Sequence, residues 1–175
     1  MALQNFQEEC AFIYLYEPMD FNFSVMCNLG AKKAGGEYLL LLNDDMEVLA
    51  DCADWLDRMV GQASLRHVGA VGAKLLYPNS TLIQHAGVTN TISGPGHKLK
   101  GLDDTQSYYY GRNKLVYDMI GVTAACLLIR TKVYRALGGL YEGLRVAYND
   151  VDLCFRLCEK GLCLSLIHIS EPTRP

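Results

Sequence analysis

The stretch from Glu37 to Val48 (EYLLLLNDDMEV) constrains the fold more than any other part of the chain. Five consecutive apolar residues, Tyr38 to Leu42, are followed directly by Asn43, Asp44 and Asp45. An unbroken apolar run of this length predicts a strand covered by helices on both faces, as in a parallel sheet. Ligands of open α/β sheets bind at the carboxyl ends of strands. Adjacent carboxylates at that position favour a divalent cation that grips phosphate oxygens, because hard cations prefer oxygen ligands.

Patterns of the same kind divide the rest of the chain into alternating helices and strands. Gly35-Gly36 and Gly138-Gly139 follow predicted helices, and Pro78 marks a turn between strands. No internal repeat or linker interrupts the series, so we predict one α/β domain with a mostly parallel sheet flanked by helices. The predicted helices are 23–34, 51–63, 131–137 and 149–160, and the predicted strands are 11–16, 38–42, 68–76, 82–88 and 122–129.

Composition argues against two classes of function. Half of the 175 residues are apolar and a fifth are charged, as is typical of a globular protein. The formal net charge of −3 argues against nucleic-acid binding through a basic surface. No apolar run approaches the roughly 20 residues that a membrane-spanning helix needs.

The seven cysteines include no CxxC pair, which predicts free thiols in a reducing, cytoplasmic compartment.

The last twelve residues, Leu164 to Pro175 (LSLIHISEPTRP), differ from the rest of the chain. They resemble the translation of a transposase adapter used to prepare sequencing libraries. A short apolar stretch followed by turn-forming residues also matches no helix or strand pattern that would continue the series. We therefore expect residues 1–163 to be a partial α/β domain, incomplete at both ends, and 164–175 to be a tail outside the native fold.

A second acidic cluster opens the last predicted helix. Asn149 suits a helix N-cap, acidic residues in the first turn offset the helix dipole, and Asp152 precedes Arg156 by four positions, as in a helical ion pair. Asp150 is less well explained by either role. The helix dipole favours its ionised form, which suits a group that accepts a proton from a hydroxyl, so Asp150 is a candidate general base.

The stretch from Thr89 to Tyr117 is rich in glycine, polar residues and tyrosine, with weak periodicity. Such a length predicts a functional loop or lid inside a compact domain. It contains His97, although a lone histidine is more often structural than functional. By itself, the triplet 43–45 is more typical of a turn that ends a strand than of a binding site, and the buried strand in front of it is what favours a function.

Four segments of the chain, in order, resemble the family 2 glycosyltransferases, especially the bacterial rhamnosyltransferase-like branch. They cover roughly 21–161 and read FNFSVMCNLGAKKAGGEYLLLLNDDMEV, VGAVGAKLLYPNSTLIQHAG, GVTAACLLIRTKVYRALGGLYE and AYNDVDLCFRLCEKG. The resemblance implies that 1–163 is part of a GT-A fold, a parallel-rich sheet between helices. It also implies inverting transfer of a sugar, such as rhamnose, from a nucleotide-sugar to an acceptor hydroxyl, with magnesium or manganese at a D-x-D motif.

The same resemblance assigns roles to individual residues. The triplet Asn43, Asp44 and Asp45 lies at the D-x-D position and is implied to bind the donor, with Asp45 as the metal ligand. Asp150 matches the catalytic base of the inverting members.

Three further residues are candidates for an acceptor or donor loop: His97, Asn149 and Asp152. Asn149 stands where the family usually has glutamate. The family's first strand, with its base-binding aspartate, and a histidine beyond the last core helix have no counterpart in 1–163. We therefore expect activity from a longer parent chain.

The implied partners are a nucleotide-sugar donor and a glycan or lipid-linked acceptor, with no nucleic acid. For the parent enzyme the resemblance implies a cytoplasmic location with peripheral association at the inner face of the membrane. Two other interpretations of the carboxylates stay open. One is a nucleotidyltransferase, which also binds metal at strand ends, and the other is a non-catalytic carbohydrate-binding remnant.

Overall fold

The computed structural model describes residues 12–49 and 52–167, which form helices around a central sheet with two small hairpins beside it. The helices are α1 (Phe23–Lys33), α2 (Trp55–Ala63), α3 (Thr131–Ala136) and α4 (Asn149–Glu159). The strands are β1 (Tyr38–Leu42), β2 (Val68–Ala73), β3 (Leu75–Leu76), β4 (Ile83–His85), β5 (Val88–Thr91), β6 (Gly94–His97), β7 (Tyr117–Met119), β8 (Cys126–Arg130) and β9 (Cys163–Ile167).

The central sheet has five strands in the order β1-β8-β2-β9-β7. β8 is antiparallel to both β1 and β2, and β7 is antiparallel to β9, whereas β2 and β9 are parallel. The α/β class is confirmed, but the prediction of a mostly parallel sheet was wrong. Apolar runs report that both faces of a strand are covered, and they carry no information about the direction of its neighbours.

Helices cover both faces of this sheet, and β8 is buried on both sides. Its Leu127 and Ile129 face the core formed with α1, α3 and α4, while Cys126 and Leu128 face the core formed with α2. The first core includes Ala31, Leu39, Tyr134, Leu153 and Leu157, and the second includes Met59, Ala63, Val68 and Val71. β1 lies at one edge of the described sheet, so only its Leu39 is buried.

Most predicted elements are present with shifted ends. The predicted strand 122–129 begins only at Cys126, and the expected loop 89–117 contains the β5–β6 hairpin and a 3-10 turn at Arg112–Lys114. Residues 12–16 of the predicted first strand form no strand, while Ala11 and Asp51 lie outside the described residues. Within 12–49 and 52–167, no helix combines the length and the apolarity needed to cross a bilayer.

The segment Leu164–Ile167, which we assigned to a separate tail, occupies a place in the central sheet. It forms most of β9, which pairs with β2 on one side and β7 on the other. All four residues are buried, and the Ser165 hydroxyl accepts a hydrogen bond from Gln62 of α2 at 3.0 Å. The apolar segment 164–167 therefore pairs with neighbouring strands of the fold. The adapter origin stays a prediction, and 168–175 lie outside the described residues.

Candidate functional site

Both carboxylate clusters lie at one edge of the central sheet, here called the site edge. β1 and β2 end there, and β8 begins there, because β8 is antiparallel to both. Asn43 follows β1, Lys74 follows β2, and the segment Thr123–Ala125 precedes β8. The acidic turn therefore lies at the carboxyl end of its strand, where α/β sheets bind ligands.

The segment Thr123–Ala125 joins the two clusters. Its Ala125 carbonyl accepts a hydrogen bond from the Asn43 backbone N–H at 2.9 Å. The preceding residue, Ala124, donates its backbone N–H to Oδ2 of Asp150 at 3.1 Å. Asn43 and Asp150, about a hundred positions apart in sequence, are thus hydrogen-bonded to the same short segment.

Asp150 is held in one orientation at the start of α4. Oδ1 accepts the backbone N–H of Val151 at 2.8 Å, and Oδ2 accepts that of Ala124. A carboxylate offers about four acceptor positions, so these two bonds orient the group without using its full capacity. The half-buried side chain can still accept a proton from a bound hydroxyl.

Asn149, by contrast, belongs to the interior. It is 4% exposed, its Oδ1 accepts the Asp150 backbone N–H at 2.8 Å, and its Nδ2 donates to the Leu144 carbonyl at 3.3 Å. Tyr148 takes the N-cap position in its place, with a left-handed φ of 63°. Asn149 therefore shapes the turn that presents Asp150.

Asp44 and Asp45 are exposed in the turn after β1, and Asn43 is half-buried. Within 12–49 and 52–167, no three His, Cys, Asp or Glu side chains form a cluster that could hold a metal ion. Magnesium in phosphate-binding sites is commonly held by one or two carboxylates, with waters and substrate phosphates completing its shell. The hard oxygen donors of this turn fit such an open site.

A cavity of about 400 Å³ opens beside the acidic turn. Asn43 and Asp45 line one part of it, and Trp55, Lys74, Tyr77 and Gln84 contribute to the remainder. This volume lies within the range of roughly 300–1,000 Å³ that is usual for small-molecule sites. The aromatic and amide side chains give the cavity both an apolar surface and polar groups.

A pair of histidines lies beside Thr123–Ala125. His85, on β4, is 1% exposed, and its Nε2 accepts the Thr123 backbone N–H at 3.2 Å. Its Nδ1 lies 2.6 Å from Nδ1 of His97, and the two rings meet edge to face. The structure thus places His97 beside the candidate site. It also places His85 there, which in the sequence is one histidine within the predicted strand 82–88.

The histidine pair is electrostatically tuned toward the neutral form. Burial, and to a smaller extent the neighbouring His97, lowers the pKa of His85 to about 3. Partial desolvation of its ring lowers the pKa of His97, although the residue as a whole is exposed; Lys100 acts in the same direction, and the negative charge of Asp150 opposes both. His97 is linked to the candidate base through His85, whose partner Thr123 precedes the Ala124 that donates to Asp150.

The buried His85 predicts a loss of stability in acid. Its pKa is about 3 in the folded chain against 6.5 ordinarily, so the unfolded chain takes up the proton first as the pH falls below 6.5. Stability should then decrease by about 1.4 kcal/mol per pH unit through this group. Chemical unfolding at several pH values measures the slope. His85→Gln should remove this component, and parallel curves for the two proteins would contradict the prediction.

Asp152 is not brought to the site edge with the other predicted residues. Its Oδ2 pairs with Arg156 one turn later on α4, at 2.7–2.9 Å. The guanidinium of Arg156 also donates to the carbonyls of Leu137 and Gly139. This geometry matches the ordinary helical ion pair and ties α4 to the turn after α3.

A buried ion pair lies at the end of β2, next to the site edge, and no local pattern predicted it. Lys74 Nζ donates to Asp104 Oδ2 at 2.5 Å, with both side chains almost fully buried. Asn113 donates to Asp104 Oδ1, and Lys114 donates to the Asp104 carbonyl. Burial lowers the pKa of Lys74, while Asp104 opposes that shift. The network ties the loop 102–114 to the end of β2.

No protein-family model matches the chain. It is 42% identical over 151 residues to the uncharacterized protein y4gI of Sinorhizobium fredii, a match that covers 84% of this chain and 16% of that protein. It is also 42% identical over 144 residues to the O-antigen biosynthesis protein RfbC of Myxococcus xanthus, covering 81% of this chain and 11% of that protein. The chain therefore spans less than a fifth of the length of either relative and is similar to one segment of each.

Proposed function

We propose that this chain carries the catalytic part of a family 2, GT-A-type glycosyltransferase that transfers a sugar with inversion. The observation that carries the proposal is the attachment of the acidic turn and Asp150 to the same segment, Thr123–Ala125. A direct displacement requires the donor-binding turn and the base to be held together in one site. The similarity to a segment of an O-antigen biosynthesis protein supports a role in glycan biosynthesis.

The proposed chemistry is a single displacement at the anomeric carbon. Asp150 accepts the proton of the acceptor hydroxyl while its oxygen forms the new glycosidic bond. The bond to the nucleoside diphosphate breaks at the same carbon, and the electron pair leaves with the diphosphate. Because Val151 and Ala124 hold the carboxylate by backbone N–H groups, its orientation toward the hydroxyl is set before binding.

Asp45 would hold a magnesium or manganese ion, with Asn43 and Asp44 beside it. Such an ion, when bound, neutralises the charge on the diphosphate leaving group. The adjacent cavity would receive the donor, since Asn43 and Asp45 line it. We further propose a glycan or lipid-linked acceptor, with rhamnose as a candidate donor sugar.

Nucleotide binding tests the donor half of this proposal. Asp45→Asn should lower the affinity for nucleoside diphosphates in the presence of Mn²⁺ by more than about tenfold, because even outer-shell changes at metal sites cost 10- to 100-fold. Isothermal titration with UDP, GDP and dTDP, each with and without Mn²⁺, measures the effect. Asp57→Asn, an exposed carboxylate on α2, is the matched control. Equal affinities for the Asp45 and Asp57 variants would remove Asp45 as the ligand.

A further inference from the structure

The hydrogen bonds of the histidine pair fix the position of every ring proton. A backbone N–H can only donate, so Nε2 of His85, which faces the Thr123 N–H, carries no proton. His85 is then neutral with its proton on Nδ1. That proton is donated to Nδ1 of His97, which must offer a lone pair. His97 is therefore neutral too, with its proton on Nε2.

This order leaves one hydrogen-bond donor at the end of the chain of bonds. His97 is exposed, and no residue within 12–49 and 52–167 accepts a hydrogen bond from its Nε2–H. The donor is available to a bound molecule. It is also rigid, since His85 is buried and anchored to the backbone of Thr123.

The histidine pair and the candidate base share one support. Successive backbone N–H groups, those of Thr123 and Ala124, donate to His85 and to Asp150 respectively. The charged groups that act on His97 are Asp150 and Lys100, one on α4 and the other three residues along the chain. The N–H donor of His97 and the carboxylate of Asp150 are therefore connected, through His85, to successive peptide groups of one segment.

We propose that the Nε2–H of His97 binds a second oxygen of the acceptor sugar, next to the hydroxyl that Asp150 deprotonates, and that His85 is the positioning residue that fixes this tautomer. The inference rests on the proposed glycosyl transfer. The acceptor sugar must therefore carry two neighbouring oxygens, one that reacts and one that accepts a hydrogen bond from His97. A neutral donor suits a neutral sugar, because it leaves the charge of Asp150 unpaired for proton transfer.

Long-range ¹H–¹⁵N spectra of the histidine-labelled chain test the tautomers without any turnover. We expect His85 to be protonated on Nδ1 and His97 on Nε2 at neutral pH. His85→Gln retains one hydrogen-bond acceptor and one donor, so His97 should keep its proton on Nε2. In His85→Leu, His97 should populate both neutral tautomers. A charged His97, or a proton on its Nδ1, overturns the inference.

Titration with methyl glycosides tests binding independently of the transfer reaction. Methyl α-L-rhamnopyranoside and methyl β-D-glucopyranoside should shift the His97 ring signals, and the corresponding 2-deoxy or 3-deoxy glycosides should shift them less. Asp150→Asn serves in the same titration to show whether both groups contact one sugar. Unchanged His97 signals with every glycoside would refute the role of His97.

Steady-state kinetics then separates this role from the proposed function. His97→Ala and His85→Leu should raise the KM for the acceptor by about tenfold, the usual worth of one hydrogen bond, with nucleotide affinity unchanged. The acceptor KM of His85→Gln should be closer to that of the wild type than to that of His85→Leu. If the wild-type protein turns over no donor, the proposed function fails while the spectra still decide about His97. An acceptor KM that is unchanged in His97→Ala would overturn the inference alone.

Discussion

Replacing Asp150 by Asn is expected to lower the kcat of sugar transfer by about 10²- to 10⁴-fold, the usual contribution of a general base. The amide has nearly the same shape but cannot accept the proton of the attacking hydroxyl. Donor binding should persist, because Asp45 and the cavity beside it are unchanged. The assay follows release of nucleoside diphosphate from a nucleotide-sugar, with donor affinity measured in parallel by calorimetry.

Folding has to be checked for this variant, because both oxygens of Asp150 accept backbone N–H groups. One of these bonds is lost in Asn, which should cost about 1–3 kcal/mol of stability without unfolding the chain. Glu159→Gln, an exposed carboxylate at the opposite end of α4, provides a control for charge on the same helix. Turnover of the Asp150 variant within tenfold of the wild type would eliminate Asp150 as the base.

The second large effect concerns stability, at the buried pair behind the site edge. Asp104→Asn should destabilise the fold by about 3–5 kcal/mol, the usual cost of removing one partner of a buried ion pair. Lys74, whose side chain has no exposed surface, then has to lose its proton or remain buried as an unpaired charge. Urea unfolding measures the change. The deficit should shrink as the pH rises, because without Asp104 the pKa of Lys74 in the folded variant falls below that in the folded wild type, so the variant gains more stability when the proton is lost.

Two companion variants identify the cause of that loss. Lys74→Met combined with Asp104→Asn should recover a large part of the stability, because the buried positive charge is gone. Asp54→Asn breaks the exposed pair with Arg58 and should cost less than about 1 kcal/mol. A loss of similar size in the Asp54 and Asp104 variants would mean that burial of the Lys74 pair carries no special penalty.

Local sequence patterns predicted the elements of this fold well. The apolar run Tyr38–Leu42 forms β1, and the helix predicted to open near Asn149 is α4. Both candidate clusters also lie where the patterns put them, at a strand end and at a helix start. These features depend on residues near one another in the chain, which periodicity and turn chemistry can report.

The sheet could not be predicted in the same way. Antiparallel insertion of β8 between β1 and β2 depends on the path of the chain, and the apolar run 126–129 fits either direction. The burial of Leu164–Ile167 between β2 and β7 likewise depends on partners that are far away in sequence.

By itself, the sequence determined which groups this protein has for chemistry: the oxygen donors after β1, Asp150 at the start of α4, and His97 in the long middle segment. Only the tertiary structure decided which of them act together. The peptide groups of Thr123–Ala125 attach Asn43, Asp150 and His85 to one support, while Arg156 keeps Asp152 elsewhere. Hydrogen bonds between residues so distant in sequence form only after the sheet has closed, so no local pattern encodes them.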